Sequence, residues 1–296
     1  MEARDELIHE YPDNLDSPWK ENWYFNFIDR ENNAWGINHV SLMRDKKKGR
    51  FAAFHVVDGQ ILMYANIIDI DENLKEVTDG RLRFDFVNPF KRFRLTLDGP
   101  QHKVDLNYEA RFDVFDYAMG KPAKPGSNKA LNINHYEQAL TVEGTIEKDG
   151  STRKIRCLGH RDHSWGYRNE SKVTGWNWAA VQMKDKTINL SRVVIGEAYI
   201  GSGFISNKNG NTRVVSVNLE NTDFEDDLPV RSTFVAQDES GKTWKLKSEK
   251  FSGLYLPMKE KGAGVVVHEN FADYVDVETG EKGVGIDEYL INPDLR

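Results

Sequence analysis

The sequence predicts an all-β protein built as two antiparallel β-barrel or sandwich halves with few short helices. Three observations carry this. Short runs of alternating apolar and polar residues recur between turn residues. No window holds a long apolar stripe at 3.6-residue spacing. Glycine is frequent, at 23 residues, and aromatic residues make up 11% of the chain, as suits many strands joined by tight turns.

In chain order, Trp19, Trp23, Tyr24, Phe25 and Phe27 mark an aromatic-rich first strand. Lys46-Lys-Lys-Gly49 reads as a solvated basic hairpin tip. Gly49–Val57 and Gln60–Asn66 are strands joined by the Asp58-Gly59 turn. Gly80–Phe86, Phe93–Leu97 and His102–Tyr108 follow; Leu82, Phe84 and Phe86 alternate with charged residues, so one face is apolar. Lys121–Asn128 is punctuated by two prolines and a glycine and reads as a loop or lid. Tyr136–Ile146, Gly175–Met183, Thr187–Ile195, Thr212–Leu219 and Lys242–Leu246 are further strands. The acidic stretch Asn221–Pro229 reads as a solvated loop, and His268-Glu269 as a strand end. Candidate strands divide about equally between the two halves, giving expected domains at 1–155 and 156–296.

Composition removes several functions. With 39% hydrophobic and 29% charged residues over 296 positions, the chain is globular rather than disordered. The net charge of −7 opposes general nucleic-acid binding. No run approaches the ~20 apolar residues of a membrane-spanning helix, and the start, Met1-Glu-Ala-Arg-Asp-Glu6, has no signal-peptide pattern. The single cysteine, Cys157, excludes an internal disulfide and any multi-cysteine metal site. A cytoplasmic location is expected.

The densest chemistry lies in Cys157-Leu-Gly-His-Arg-Asp-His-Ser-Trp-Gly-Tyr-Arg168, followed by Gly175-Trp-Asn-Trp178. If Arg161–Tyr167 is extended, Arg161, His163, Trp165 and Tyr167 share one face, with Asp162 and Ser164 on the other. Trp176 and Trp178 likewise share a face. Indole walls beside an imidazole, a phenol and a guanidinium suit a largely apolar ligand with one polar head. A histidine can exchange protons at neutral pH, so the chemistry expected is proton transfer at an alkene, a carbonyl or an activated carbon. Asp162 is the expected orienter of His163. The competing reading makes Arg161, Asp162 and Arg168 an ion-pair network and His163 a satisfied core residue. A metal on His160, Asp162 and His163 is disfavoured because positions 160 and 163 point to opposite faces, and none is expected. Fingerprints for a nucleotide, a hydrolase nucleophile or a zinc protease are absent, so no cofactor is expected.

Leu158-Gly-His-Arg-Asp-His-Ser-Trp-Gly-Tyr-Arg168 with Gly175-Trp-Asn-Trp178 resembles the AttH-like/carotenoid 1,2-hydratase superfamily, more closely its tandem lipocalin-like bacterial branch. The resemblance extends to Pro18–Phe27, His135-Tyr-Glu-Gln138, Val142–Thr145 and Gly283–Leu290. It implies two lipocalin-like barrel halves with a ligand cavity in or between them. It also implies chemistry without a redox cofactor on greasy substrates: hydration of isoprenoid double bonds, cyclisation or cycloaddition. The superfamily pattern of a His, a Trp and nearby Tyr and Asp maps onto His163 and Trp165, with Tyr167 and Asp162 the nearest matches for the others.

The expected function is therefore a hydratase, dehydratase, cyclase or isomerase of a hydrophobic small molecule. His163 would shuttle the proton and Arg161 would hold a polar substrate group. Glu137, facing a barrel interior, is a second candidate acid. Trp165, Trp176, Trp178, Tyr136 and Trp23 would bind substrate, with Tyr136 pointing away from Glu137. Glu288 and Tyr289 sit on the closing strand and read as structural closure, with a reach into a second cavity as the alternative. The alternatives are a non-catalytic carrier of a lipophilic ligand and a carbohydrate-active protein.

Overall fold

The computed structural model describes residues 1–10, 18–71, 73–117, 131–168, 173–225, 228–257 and 265–291. Among them the chain is all-β, and helix is confined to two 3-10 turns, Ala3–Glu6 and Arg44–Lys46. Among the described residues no helix is long and apolar enough to cross a membrane. The chain divides into two compact units, Met1–Arg168 and Asn169–Arg296.

The first unit contains β1 (Trp19–Asp29), β2 (Ala34–Met43), β3 (Lys48–Val57), β4 (Gln60–Asp69), β5 (Val77–Thr78) and β6 (Leu82–Asn88). It continues with β7 (Arg92–Asp98), β8 (Lys103–Ala110), β9 (Phe115–Asp116), β10 (Leu131–Lys148) and β11 (Ser151–Arg168). They form one antiparallel sheet in the order β4-β3-β2-β1-β11-β10-β8-β7-β6-β5, with β9 beside β10. The sheet curls into a half-barrel because its two ends share one core: Leu62 and Tyr64 of β4 pack in the same cluster as Val77, Leu82 and Phe84. The Tyr64 hydroxyl and the Asn66 amide both donate to Asp79 Oδ2, at 2.5 and 2.9 Å.

The second unit is a closed barrel of β12 (Gly175–Gln182), β13 (Lys186–Ile195), β14 (Ala198–Asn207), β15 (Gly210–Glu225), β16 (Leu228–Asp238), β17 (Thr243–Pro257), β18 (Val266–Asp276) and β19 (Lys282–Ile291). β19 returns to pair with β12, which abolishes the sheet edges. Ala179, Leu190, Phe234, Leu246 and Tyr274 are among its core residues.

Three expectations change here. The division falls at Arg168, beyond the expected 155/156, because β11 is one continuous strand paired with β10 along its whole length. Asn221–Pro229 is mostly strand, the ends of β15 and β16, rather than a solvated loop. His268-Glu269 lies near the start of β18, not at a strand end. Lys121–Asn128 lies outside the described residues. The Asp58-Gly59 turn is as expected, both residues having positive φ (51° and 75°).

Gly159 lets β1 and β11 approach closely. A Cβ there would stand 2.3 Å from the Asn26 carbonyl oxygen and 2.8 Å from Val142 Cγ2. Gly159→Ala is expected to cost the first unit about 1–3 kcal/mol, read as a lowered urea midpoint; an unchanged midpoint would show that the strands yield freely.

Candidate active site

The chemistry-bearing motif is the central strand of a three-strand ribbon. Trp23 of β1, His163 of β11 and Tyr136 of β10 are register partners, as are Phe25, Arg161 and Gln138. Alternation then sends Arg161, His163 and Trp165 to the face of the hydrophobic core, and Asp162 and Ser164 to the opposite face, as the sequence predicts.

On the core face the polar groups join into one buried chain. Arg161 forks onto Glu6, Nη1 to Oε2 at 2.8 Å and Nη2 to Oε1 at 2.7 Å, and both side chains are fully buried. Its guanidinium also donates to Gln138 Oε1 and lies 4.1 Å over the Phe93 ring. The Tyr136 hydroxyl stands 2.9 Å from Glu6 Oε2 and 2.8 Å from His163 Nδ1. His163 Nε2 is 3.0 Å from Glu21 Oε1, which is also 2.8 Å from His9 Nδ1. His9 stacks on Trp165 at 3.8 Å, and Trp23 on His163 at 4.6 Å.

These contacts set the proton affinities. Burial alone would raise the Glu6 carboxyl, but the Arg161 guanidinium overrides it and holds it below the usual range. Burial likewise opposes Glu21, and hydrogen bonds from His163 and His9 bring it down. Burial lowers His163 despite Glu21. Burial raises the Tyr136 phenol well above its ordinary value.

The opposite face holds a second cluster. Glu137 is fully buried between two imidazoles, with Oε2 2.7 Å from His160 Nε2 and Oε1 3.2 Å from His135 Nε2. Asp162 lies 3.8 Å from His135, and both side chains keep 21% of their surface exposed. His135 stacks flat on Tyr117 at 4.7 Å. Tyr117 donates to Glu137, and its phenol is pushed well up by burial and by that carboxylate.

Several expected roles change. Asp162 cannot orient His163, because it points to the other face; Tyr136 and Glu21 hold the ring instead. His163 has no exposed surface, and indoles and polar partners fill the space where a greasy hollow was expected. Arg161 is committed to Glu6 and Gln138 rather than open to a ligand. Glu137 faces away from the core rather than into it. The set His160, Asp162 and His163 is split between faces. Tyr136 does point away from Glu137, and Tyr136, Trp23 and Trp165 do gather around His163. Tyr167 is half-buried at the outer end of the ribbon, opposite Trp19.

Trp176 and Trp178 belong to the second unit and share one face of β12. The Trp176 indole donates to Glu288 and packs on Val265, Val267 and Leu290. Inside the barrel, Asp287 Oδ2 accepts from Ser248 at 2.8 Å and from Tyr289 at 3.3 Å, and Tyr289 also meets Ser232. Asp287 Oδ1 has no hydrogen-bond partner among the described residues. Burial pushes this carboxyl up to about 7.

Sequence reasoning missed Glu6, His9, Glu21, His135, His160 and Asp287 as site residues. Glu21 carried a readable signal: it is a charge in phase with the aromatic run Trp19, Trp23, Phe25 and Phe27 on one strand face.

A family model described as "Domain of unknown function (DUF7064)" matches residues 2–293. No curated protein matches the chain by sequence. Among solved structures, an AttH-like protein from Nitrosomonas europaea is similar with a TM-score of 0.74 at 12% identity, over 99% of this chain and 96% of that one. Kievitone hydratase from Nectria haematococca is similar with a TM-score of 0.63 at 11% identity, over 92% and 89%. CghA with Sch210972 gives 0.65 at 13% identity, over 92% and 88%. At these identities the likeness is one of fold.

Proposed function

This chain belongs to the DUF7064 family, and from its site we propose an acid–base enzyme of the hydratase, dehydratase, cyclase or isomerase kind, acting on a hydrophobic small molecule without a redox cofactor. One observation carries the reading: Glu137, buried between His160 and His135, with His135 and Asp162 at a partly open rim. A carboxylate between two imidazoles holds both rings in place by hydrogen bonds, and imidazole is the side-chain type suited to general acid–base work. The shared fold with kievitone hydratase supports the reaction class.

In a hydration, His135 would give its proton to one alkene carbon while Asp162 takes a proton from the water that bonds to the other. The sum is alkene plus water to alcohol, and proton return from Asp162 to His135 resets the site. Arg161, His163, Tyr136 and Trp23 act behind the ribbon as positioning residues. A cytoplasmic setting fits the lone thiol of Cys157, whose burial raises it far above reactive values.

The test incubates the purified chain with prenylated phenols and isoprenoid alkenes in isotopically labelled water and follows incorporation by mass spectrometry. Product heavier by one labelled water is expected, with His135→Ala lowering turnover about 10²-fold and leaving KM little changed. Tight binding of these compounds without turnover would make the chain a carrier instead.

A further inference from the structure

We propose that His9, Glu21 and His163 form a binding site for one divalent transition-metal ion, with zinc the best match to two imidazoles and a carboxylate. The three side chains come from the N-terminal segment, β1 and β11, and their ligand atoms all lie within 4.8 Å of one another. Glu21 Oε1 is the shared vertex, 2.8 Å from His9 Nδ1 and 3.0 Å from His163 Nε2. A tetrahedral zinc site with bonds of about 2.0–2.1 Å has ligand–ligand edges of about 3.3 Å. Small rotations of three side chains would reach it. This is a different set from the one weighed in the sequence, where His160 and His163 point apart.

The surroundings have the form of a metal's outer shell. His163 Nδ1 meets the Tyr136 hydroxyl, and that hydroxyl meets Glu6, so the ring is held with Nε2 toward Glu21. Glu21 Oε2 accepts the His9 backbone N–H at 3.1 Å. Trp165 and Trp23 lie flat on the two imidazoles and restrict their rotation. The His9 side chain is 19% exposed, which gives an ion an entry path and a fourth, solvent-side position.

Donor bookkeeping points the same way. Tyr136 has one hydroxyl hydrogen and three neighbours able to accept it, Glu6 Oε2, His163 Nδ1 and the Asp5 carbonyl oxygen at 3.2 Å. Glu6 is gripped by Arg161 as a carboxylate and is the strongest acceptor. His163 Nδ1 must then carry its own hydrogen, donated to the phenol oxygen. His163 Nε2 and Glu21 Oε1 face each other at 3.0 Å, a spacing that a shared proton or a shared metal ion can bridge. A cation bound by both atoms takes the place of that proton and makes two bonds. It also ties the N-terminal segment to the sheet through His9.

The experiment uses the full chain, stripped with chelator, reloaded with zinc alone and desalted. Metal content is then measured by plasma mass spectrometry, and a cobalt-loaded sample is read for the visible absorption of a tetrahedral site. The expected result is one zinc per chain, with affinity reduced about 10²-fold or more in both His9→Ala and Glu21→Gln. His9→Ala changes only a half-buried residue of the N-terminal segment, and Glu21→Gln keeps shape while removing charge, so each checks the other. Any other pattern overturns the proposal: sub-stoichiometric zinc in the parent, or stoichiometric zinc that either variant keeps.

Discussion

Arg161→Met is expected to destabilise the first unit by about 3–5 kcal/mol, the cost of stranding one partner of a buried ion pair. Glu6 would keep the Phe90 backbone N–H, at 2.8 Å, and the Tyr136 hydroxyl, but would lose both guanidinium hydrogen bonds. Its side chain is fully buried, so without the guanidinium the carboxylate is expected to bind a proton or leave its site. The rings of Phe25, Phe90, Phe93 and Tyr136 already surround the guanidinium within 5.9 Å, so a thioether side chain fits the volume. The Glu6→Gln, Arg161→Met pair is therefore expected to recover most of the loss, because it removes both charges and leaves no buried carboxylate without its partner. Amide exchange in β1, β10 and β11 under increasing urea measures both. Equal instability of the single and double variants would mean that packing, not charge, dominates.

The same network explains what the sequence could and could not disclose. Strands facing solvent on one side, such as β7 with its strict exposed–buried alternation, announce themselves by period 2. β2 is buried on nearly every residue, Ala34 to Met43, and so lacks alternation; it escaped, as did β14 and β16. The alternation within Arg161–Tyr167 was sufficient to assign faces, because a strand's side-chain directions are local. Its partners were not local. Glu6 reaches Arg161 across 155 positions and Glu21 reaches His163 across 142. No spacing rule links such residues until the register of β1 against β11 is known. Asp162 misleads as an orienter of His163 for the opposite reason: it is adjacent in sequence, and adjacency in a strand means opposite faces. The half-barrel and the barrel were legible as a class because turns and strand lengths are local. The unit boundary was not, because a long strand such as β11 gives no break in composition at its true end.

Asp287→Asn is expected to flatten the pH dependence of the second unit by about 4 kcal/mol between about pH 4 and pH 8. In the unfolded chain this carboxyl titrates near its ordinary value of about 3.9; in the barrel, burial raises it to about 7. Below about pH 4 both states hold the proton and the residue costs nothing. Between about 4 and 7 only the folded state retains the proton, so stability falls as pH rises. Above about 7 the loss is complete: roughly three units at about 1.4 kcal/mol each. Asparagine can accept from Ser248 and Tyr289 as the carboxyl does, but it has no proton to lose. Any constant offset from its amide hydrogens shifts the whole curve without tilting it. The quantity to compare is the change in unfolding free energy from pH 4 to pH 8 in parent and variant, with every other titrating group common to both. Parallel curves would mean that Asp287 ionises inside the barrel as readily as in water. A difference near the expected size would mean that the barrel holds a neutral carboxylic acid up to about pH 7, at a cost in stability once the unfolded carboxyl ionises. A group in that state can donate a proton where an ordinary aspartate cannot.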